Sequence, residues 1–128
     1  MRKRVLCIDD NEDTCLMMSV LLGLADYQVA TAGTLADGLN LAKSQQFDLY
    51  LLDSNLPDGT GLQLCREIRS FDPLTPIVFC SGRAGLEDRQ EALRAGAQAY
   101  LAKPVEPDVL KETMHWLLHK ASHASHNV

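Results

Sequence analysis

Four short apolar runs in this chain each lead into residues that can do chemistry. Val5-Leu6-Cys7-Ile8 is followed by Asp9 and Asp10, and Leu49-Tyr50-Leu51-Leu52 by Asp53. Ile77-Val78-Phe79-Cys80 is followed by Ser81, and Ala97 to Ala102 by Lys103. Apolar runs of this length bounded by turn formers read as buried strands. A charge at the end of such a strand is costly unless something meets it. In an open parallel sheet, ligands bind at the carboxyl ends of the strands. Parallel strands would bring all of these side chains to one rim. Carboxylates about 5 Å apart at an effective dielectric of about 20 repel by roughly 3 kcal/mol per pair. A hard divalent cation relieves that repulsion, and Mg2+ favours one or two carboxylates with waters and a phosphate oxygen. The Lys103 ammonium and the Ser81 hydroxyl are suited to hold phosphoryl oxygens. A carboxylate nucleophile can form an acyl phosphate, with metal and lysine neutralising the arriving charge. The chemistry implied is acceptance of a phosphoryl group on Asp53.

The elements that must position these residues follow from periodicity. Leu16, Met17, Val20, Leu21 and Leu24 recur at helical spacing after the acidic cluster and predict the apolar face of a first helix. Tyr27 to Thr31 predicts a second, weaker strand. Thr34-Leu35-Ala36-Asp37 resembles a capping box and opens a second helix carrying Leu35, Leu39 and Ala42. Pro57-Asp58-Gly59-Thr60-Gly61 reads as a turn, and Leu64, Cys65 and Ile68 mark a third helix that Asp72-Pro73 breaks. Leu86 to Ala95 predicts a fourth helix closed by Gly96. Pro107 fits the first position of a fifth, with Val109, Leu110, Met114, Leu117 and Leu118 facing inward. Alternating strands and helices predict an α/β, doubly wound, five-stranded parallel sheet with five helices on both faces, compatible with strand order 2-1-3-4-5. Residues 1–120 read as one domain and 121–128 as a Ser/His-rich tail or linker stub.

A chain of 128 residues with 46% hydrophobic and 23% charged residues has an ordinary globular composition. A net charge of -5 argues against direct binding of nucleic acid by this domain. Only Val5 to Ile8 separate the basic start from Asp9, too short for the core of a signal peptide, and no run approaches a membrane span. Cys7, Cys15, Cys65 and Cys80 form no CxxC pair and are expected to be reduced thiols of a cytoplasmic protein. His115, His119 and His123 share helical spacing but lack a carboxylate or cysteine partner in the pattern, so a solvated face is expected. Gly59-Thr60-Gly61 has no third glycine and no Walker lysine, which argues against a nucleotide loop.

Four segments together resemble the receiver domains of two-component response regulators, over residues 3 to about 120. They are Asp9-Asp10, Asp53-Ser-Asn-Leu-Pro57, Ser81-Gly82 and Tyr100-Leu-Ala-Lys103-Pro104. The resemblance implies a flavodoxin-like fold of that strand order and a phosphoacceptor at Asp53, loaded from a sensor histidine kinase or phosphotransfer protein. It implies Mg2+ held by Asp10, Asp53 and the Asn55 backbone carbonyl, with Asp9 acting through water. Ser81 and Lys103 would contact the phosphoryl group, Ser81 and Tyr100 would form the switch, and Lys103-Pro104 would be cis. A downstream effector would dock on the face of the fourth helix, fifth strand and fifth helix, with a phosphorylation-dependent dimer possible and no membrane contact. Such a module takes part in its own phosphorylation and dephosphorylation and is not a turnover enzyme. Gln98 and Ala99 stand where one DNA-binding branch of the family carries an acidic pair, which puts that branch's charged dimer contacts in doubt. Arg83 and Asn55 are placed to tune water attack on the acyl phosphate. Two alternatives remain: a Mg2+-dependent phosphohydrolase of the haloacid dehalogenase type, and a degenerate receiver used as a scaffold. The first expects a second Asp two residues after the nucleophile, where Asn55 stands.

Overall fold

Three of the strand-forming runs, Val5 to Ile8, Leu49 to Leu52 and Ile77 to Ser81, differ from the helices in being buried on both sides. The computed structural model describes the backbone of residues 2–83 and 85–126, and the side chains of those up to Lys120. In chain order the elements are β1 (Arg4–Ile8), α1 (Glu12–Leu24), β2 (Gln28–Ala32), α2 (Leu35–Ser44), β3 (Leu49–Leu52), β4 (Asn55–Leu56) and β5 (Gly59–Thr60). They continue with α3 (Gly61–Arg69), β6 (Ile77–Ser81), α4 (Leu86–Arg94), β7 (Ala99–Ala102) and α5 (Pro107–His126). The main sheet is parallel in the order β2-β1-β3-β6-β7. That is the expected order 2-1-3-4-5, once the small antiparallel pair β4–β5 is set apart.

Successive strand residues point to opposite faces, and the core divides accordingly. Leu6, Ile8, Tyr50, Leu52 and Phe79 pack with Leu35 and Ala42 of α2, Leu64 and Ile68 of α3, and Ala92 of α4. Val5, Cys7, Leu49, Leu51, Val78 and Cys80 pack with Met18 and Leu22 of α1 and Leu110, Met114 and Leu117 of α5. Helices therefore cover both faces, and each strand end is fixed from two sides. Cys7, Cys65 and Cys80 are buried, Cys15 is half-buried, and all four are free thiols.

Three local expectations are corrected. Much of the predicted face of the first helix is turned outward: Met18 and Leu22 are buried and Leu21 packs half-buried against the core, while Leu16 is 66% and Leu24 84% exposed, with Met17 and Val20 also exposed. The helix is apolar almost all round, so two rows share helical spacing, and only packing on the sheet decides between them. Val109 of α5 is likewise exposed, whereas Leu110, Met114, Leu117 and Leu118 are buried as expected. The turn at Pro57-Asp58 is the loop of a hairpin, with Asn55 opposite Thr60 and Leu56 opposite Gly59. The backbone of α5 is helical as far as His126. Residues 127–128 and the side chain of His123 lie outside the described residues. The rings of His115 and His119 stack, with centroids 6.2 Å apart.

Candidate functional site

The acidic rim is assembled by register. Pairing of Ile8 with Leu52 across β1 and β3 makes Asp9 and Asp53 the next residues of adjacent strands. Asp53 is tied back by its own N–H, which donates to the Ile8 carbonyl at 3.0 Å. Gly61, the first residue of α3, lies so close that a Cβ there would stand 2.2 Å from the Asp53 carbonyl oxygen. Only glycine permits that approach, so the sequence Asp53-x7-Gly61 folds the hairpin tightly over the strand end. Asn11 caps α1, its side chain accepting the Thr14 N–H at 3.1 Å, and this sets the turn that carries Asp9 and Asp10.

Asp9, Asp10 and Asp53 can each place a carboxylate oxygen within 4.8 Å of the others. Asp9 is 4% exposed, Asp53 is half-buried and Asp10 faces solvent. One Asp9 oxygen accepts the Asn11 N–H at 2.9 Å, and the other accepts from Lys103 Nζ at 2.8 Å. The same ammonium lies 3.6 Å from Asp53 Oδ1, which also accepts the Ser54 N–H at 2.8 Å. One lysine thus faces two carboxylates from two strands, while a third stands beside them. Burial raises the Asp53 pKa, the Asp9 charge adds to this, and Lys103 only partly opposes it. Burial lowers the Lys103 pKa, but its hydrogen bond to Asp9 and the Asp53 charge outweigh this and leave the group above its ordinary value. The rim therefore carries more negative charge than its own cation neutralises. Its donors are hard oxygens in a tight cluster, the donor chemistry that a small divalent cation takes.

Ser81 ends β6, is 1% exposed, and accepts the Arg83 N–H on Oγ at 3.0 Å. Its carbonyl accepts the Lys103 N–H at 2.8 Å, so the hydroxyl and ammonium positions are linked through one backbone bond. Lys103-Pro104 is cis, as the resemblance implies. Asn55 opens β4 with its side chain exposed.

Tyr100 lies on β7. The ring is buried, 7% exposed, and stacks on Phe79 with centroids 5.7 Å apart. Its hydroxyl donates to the Arg83 carbonyl, and Arg83 in turn donates its N–H to Ser81. Ser81 and Tyr100 are thus joined through a single residue. Arg89 of α4 donates to the Tyr100 carbonyl at 3.0 Å and lies over the ring, 5.4 Å from its centroid. Sequence reading missed Arg89, because a cation in mid-helix carries no mark of its ring partner. It also missed Asp58, whose carboxylate accepts the N–H groups of Leu35 and Ala36 at 2.7 and 3.0 Å.

An open groove of about 900 Å3 adjoins the carboxylates, lined by Asp9, Asp10, Cys15, Thr34, Asp37 and neighbouring residues. Among the described residues no helix is long and apolar enough to cross a membrane.

Comparison with known proteins agrees with this geometry. The family described as response regulator receiver domain matches residues 5–115. The chain is 34% identical over 118 residues to the cell cycle response regulator CtrA of Brucella ovis, covering 92% of this chain and 51% of that protein. It therefore spans about half the length of such curated relatives. A CheY-like response regulator receiver domain protein from Methanospirillum hungatei superposes with a TM-score of 0.93 at 31% identity, covering 97% of this chain and 99% of that one. The chemotaxis protein CheY4 of Vibrio cholerae superposes at 0.86 with 31% identity, covering 91% of this chain and 99% of that one.

Proposed function

The chain belongs to the response regulator receiver domain family, and from that premise we propose that it accepts a phosphoryl group on Asp53 from a histidine kinase or phosphotransfer protein. The observation that carries this reading is Lys103, whose ammonium sits within reach of both Asp9 and Asp53 inside the acidic cluster. In this reading the Ser54 N–H holds one Asp53 oxygen and orients the carboxylate, and the other oxygen attacks phosphorus. The bond from phosphorus to the donor nitrogen or oxygen breaks as the new acyl phosphate bond forms. Lys103 then meets the negative charge gathering on the phosphoryl oxygens. Asp10, Asp53 and the Asn55 backbone carbonyl would hold Mg2+, with Asp9 acting through water. When bound, the ion supplies Lewis-acid neutralisation to the phosphoryl oxygens.

A phosphoryl group beside Ser81 offers its hydroxyl proton a charged acceptor, which draws Oγ away from the Arg83 N–H that it accepts. Residue 83 is also the anchor of the Tyr100 hydroxyl, so a change at Ser81 reaches β7, and α4 through Arg89, by way of one residue. The exposed Leu86 and Leu93 of α4 and Val109 and Trp116 of α5 give the surrounding face the apolar character an effector would recognise. Leu16, in the exposed apolar row of α1, lines the groove beside the acids, and that row suits a protein donor. The protein works as a cytoplasmic signalling module and not as a turnover enzyme.

Incubation with a small acyl phosphate tests the reading. A stoichiometric, slowly decaying adduct supports a receiver. Sustained turnover of phosphate esters would favour a hydrolase, and no adduct at all would favour a scaffold.

A further inference from the structure

The hairpin β4–β5 carries the Asn55 carbonyl, and its position depends on what holds the hairpin. At its base, Gly61 packs on the Asp53 carbonyl and donates its N–H to the Ser54 carbonyl at 2.9 Å. At its tip is the loop Pro57-Asp58, which has no place in the sheet. Asp58 is exposed, yet its two carboxylate oxygens are both engaged: Oδ1 accepts the Leu35 N–H and Oδ2 the Ala36 N–H. These are free N–H groups of the first turn of α2, which the helix cannot satisfy itself. The helix's own cap, Thr34, takes only the Asp37 N–H. Gly59 completes the contact, because a Cβ there would stand 2.6 Å from the Leu35 side chain.

We propose that Asp58 is a positioning residue for the metal and phosphoryl site, clamping the hairpin tip to α2 so that the Asn55 carbonyl is held toward the acidic cluster. Asp58 is three residues from Asn55 and touches neither metal nor phosphoryl group; it acts through the backbone. The clamp is distinct from the acidic cluster, since Asp9 and Asp10 follow β1, Asp53 follows β3, and none of them is bonded to Asp58. Residues that orient a ligand from outside commonly change metal affinity about 10- to 100-fold when removed. A backbone carbonyl on a hairpin still held at its base should lie at the low end, at about tenfold.

This inference rests on the reading of the acids as a Mg2+ site, and the experiment separates the two. Mg2+ binding to the full chain is measured by calorimetry for wild type, Asp58→Ala, Asp58→Asn and Thr34→Ala. Thr34→Ala removes a cap from the same helix without touching the hairpin. The expectation is an affinity loss of about tenfold for Asp58→Ala, a smaller loss for Asp58→Asn, which keeps one acceptor oxygen, and wild-type affinity for Thr34→Ala. The rate of phosphorylation by an acyl phosphate should fall in Asp58→Ala at low Mg2+ and recover at saturating Mg2+. Unchanged affinity in Asp58→Ala overturns the clamp. An equal loss in Thr34→Ala also overturns it, because it assigns the effect to the helix as a whole. No Mg2+ binding by wild type would instead sink the reading of the acids.

Discussion

The two ends of the same sheet treat charge in opposite ways. At the carboxyl rim, three carboxylates face one ammonium, and Asp53 is left with a raised pKa. At the amino rim, charged groups are tied into hydrogen-bond networks with backbone and amide partners. Arg4 and Asp48 exchange bonds, the Arg4 N–H donating to Asp48 Oδ2 at 2.7 Å and the Asp48 N–H to the Arg4 carbonyl at 2.7 Å. The Arg4 guanidinium donates to the Gln46 carbonyl and Gln45 Oε1 and lies over Phe47. Asp72 Oδ1 accepts the Thr75 N–H at 3.0 Å, and burial with the Asp72 charge pushes Tyr50 up to about 12. Gln98, standing where an acid was expected in one branch of the family, accepts the Ile77 N–H at 2.7 Å and a hydrogen bond from Arg69. Its side chain is therefore a strut within the domain. The contrast separates the two uses of polar groups: satisfied networks hold a fold, and under-neutralised ones wait for a ligand.

The largest effect should come from removing Lys103, whose ammonium meets both Asp9 and Asp53. Lys103→Ala should slow phosphorylation by about 100-fold, the scale for losing one preorganised charge on a transferring group. Stopped-flow or quench assays with an acyl phosphate check this. A rate within a few-fold of wild type would erase the distinction between the rims. At the amino rim, Asp72→Ala should cost about 1–2 kcal/mol of stability through the N–H groups it strands, read by urea denaturation. Its phosphorylation rate should stay that of wild type.

A smaller effect is expected in acid. Asp53 has a folded pKa above its unfolded value, so it costs stability at neutral pH, and that cost is relieved as pH falls through the folded pKa. Asp72 has a folded pKa below its unfolded value, because the bonds from Thr75 and Leu74 outweigh its burial; its contribution is present above the unfolded pKa and lost as pH falls through the folded one. Asp53→Asn should therefore melt above wild type at pH 7, with the gap narrowing toward about pH 4. Asp72→Ala should show its deficit at pH 7 and lose it only at lower pH. Parallel pH curves for the two variants would contradict the contrast.

Much of the carboxyl rim was legible in the sequence, because the chemistry stands at the ends of apolar runs. Asp9, Asp10, Asp53 and Lys103 follow strands and Ser81 ends one, and parallel pairing brings strand ends together whatever the helices do. The inward face of α1 was not legible: Leu16, Met17, Val20 and Leu24 repeat as regularly as Met18 and Leu22, and the choice between them belongs to tertiary packing. The seat of Tyr100 was half legible, since a switch aromatic could be named but not its bond to the Arg83 carbonyl or the cation above it. Asp58 looked like a turn residue because its partners are the N–H groups of Leu35 and Ala36, which are 23 and 22 residues away and carry no side-chain signature. Gln98 was hidden for the same reason.

The central claim is that Asp53 alone receives the phosphoryl group at the under-neutralised rim. Intact-mass analysis of wild type and Asp53→Asn, each incubated with an acyl phosphate and Mg2+, tests it most directly. The account predicts the mass of one added phosphoryl group on wild type and none on folded Asp53→Asn. An equal adduct on the Asn variant would contradict it and place the acceptor elsewhere.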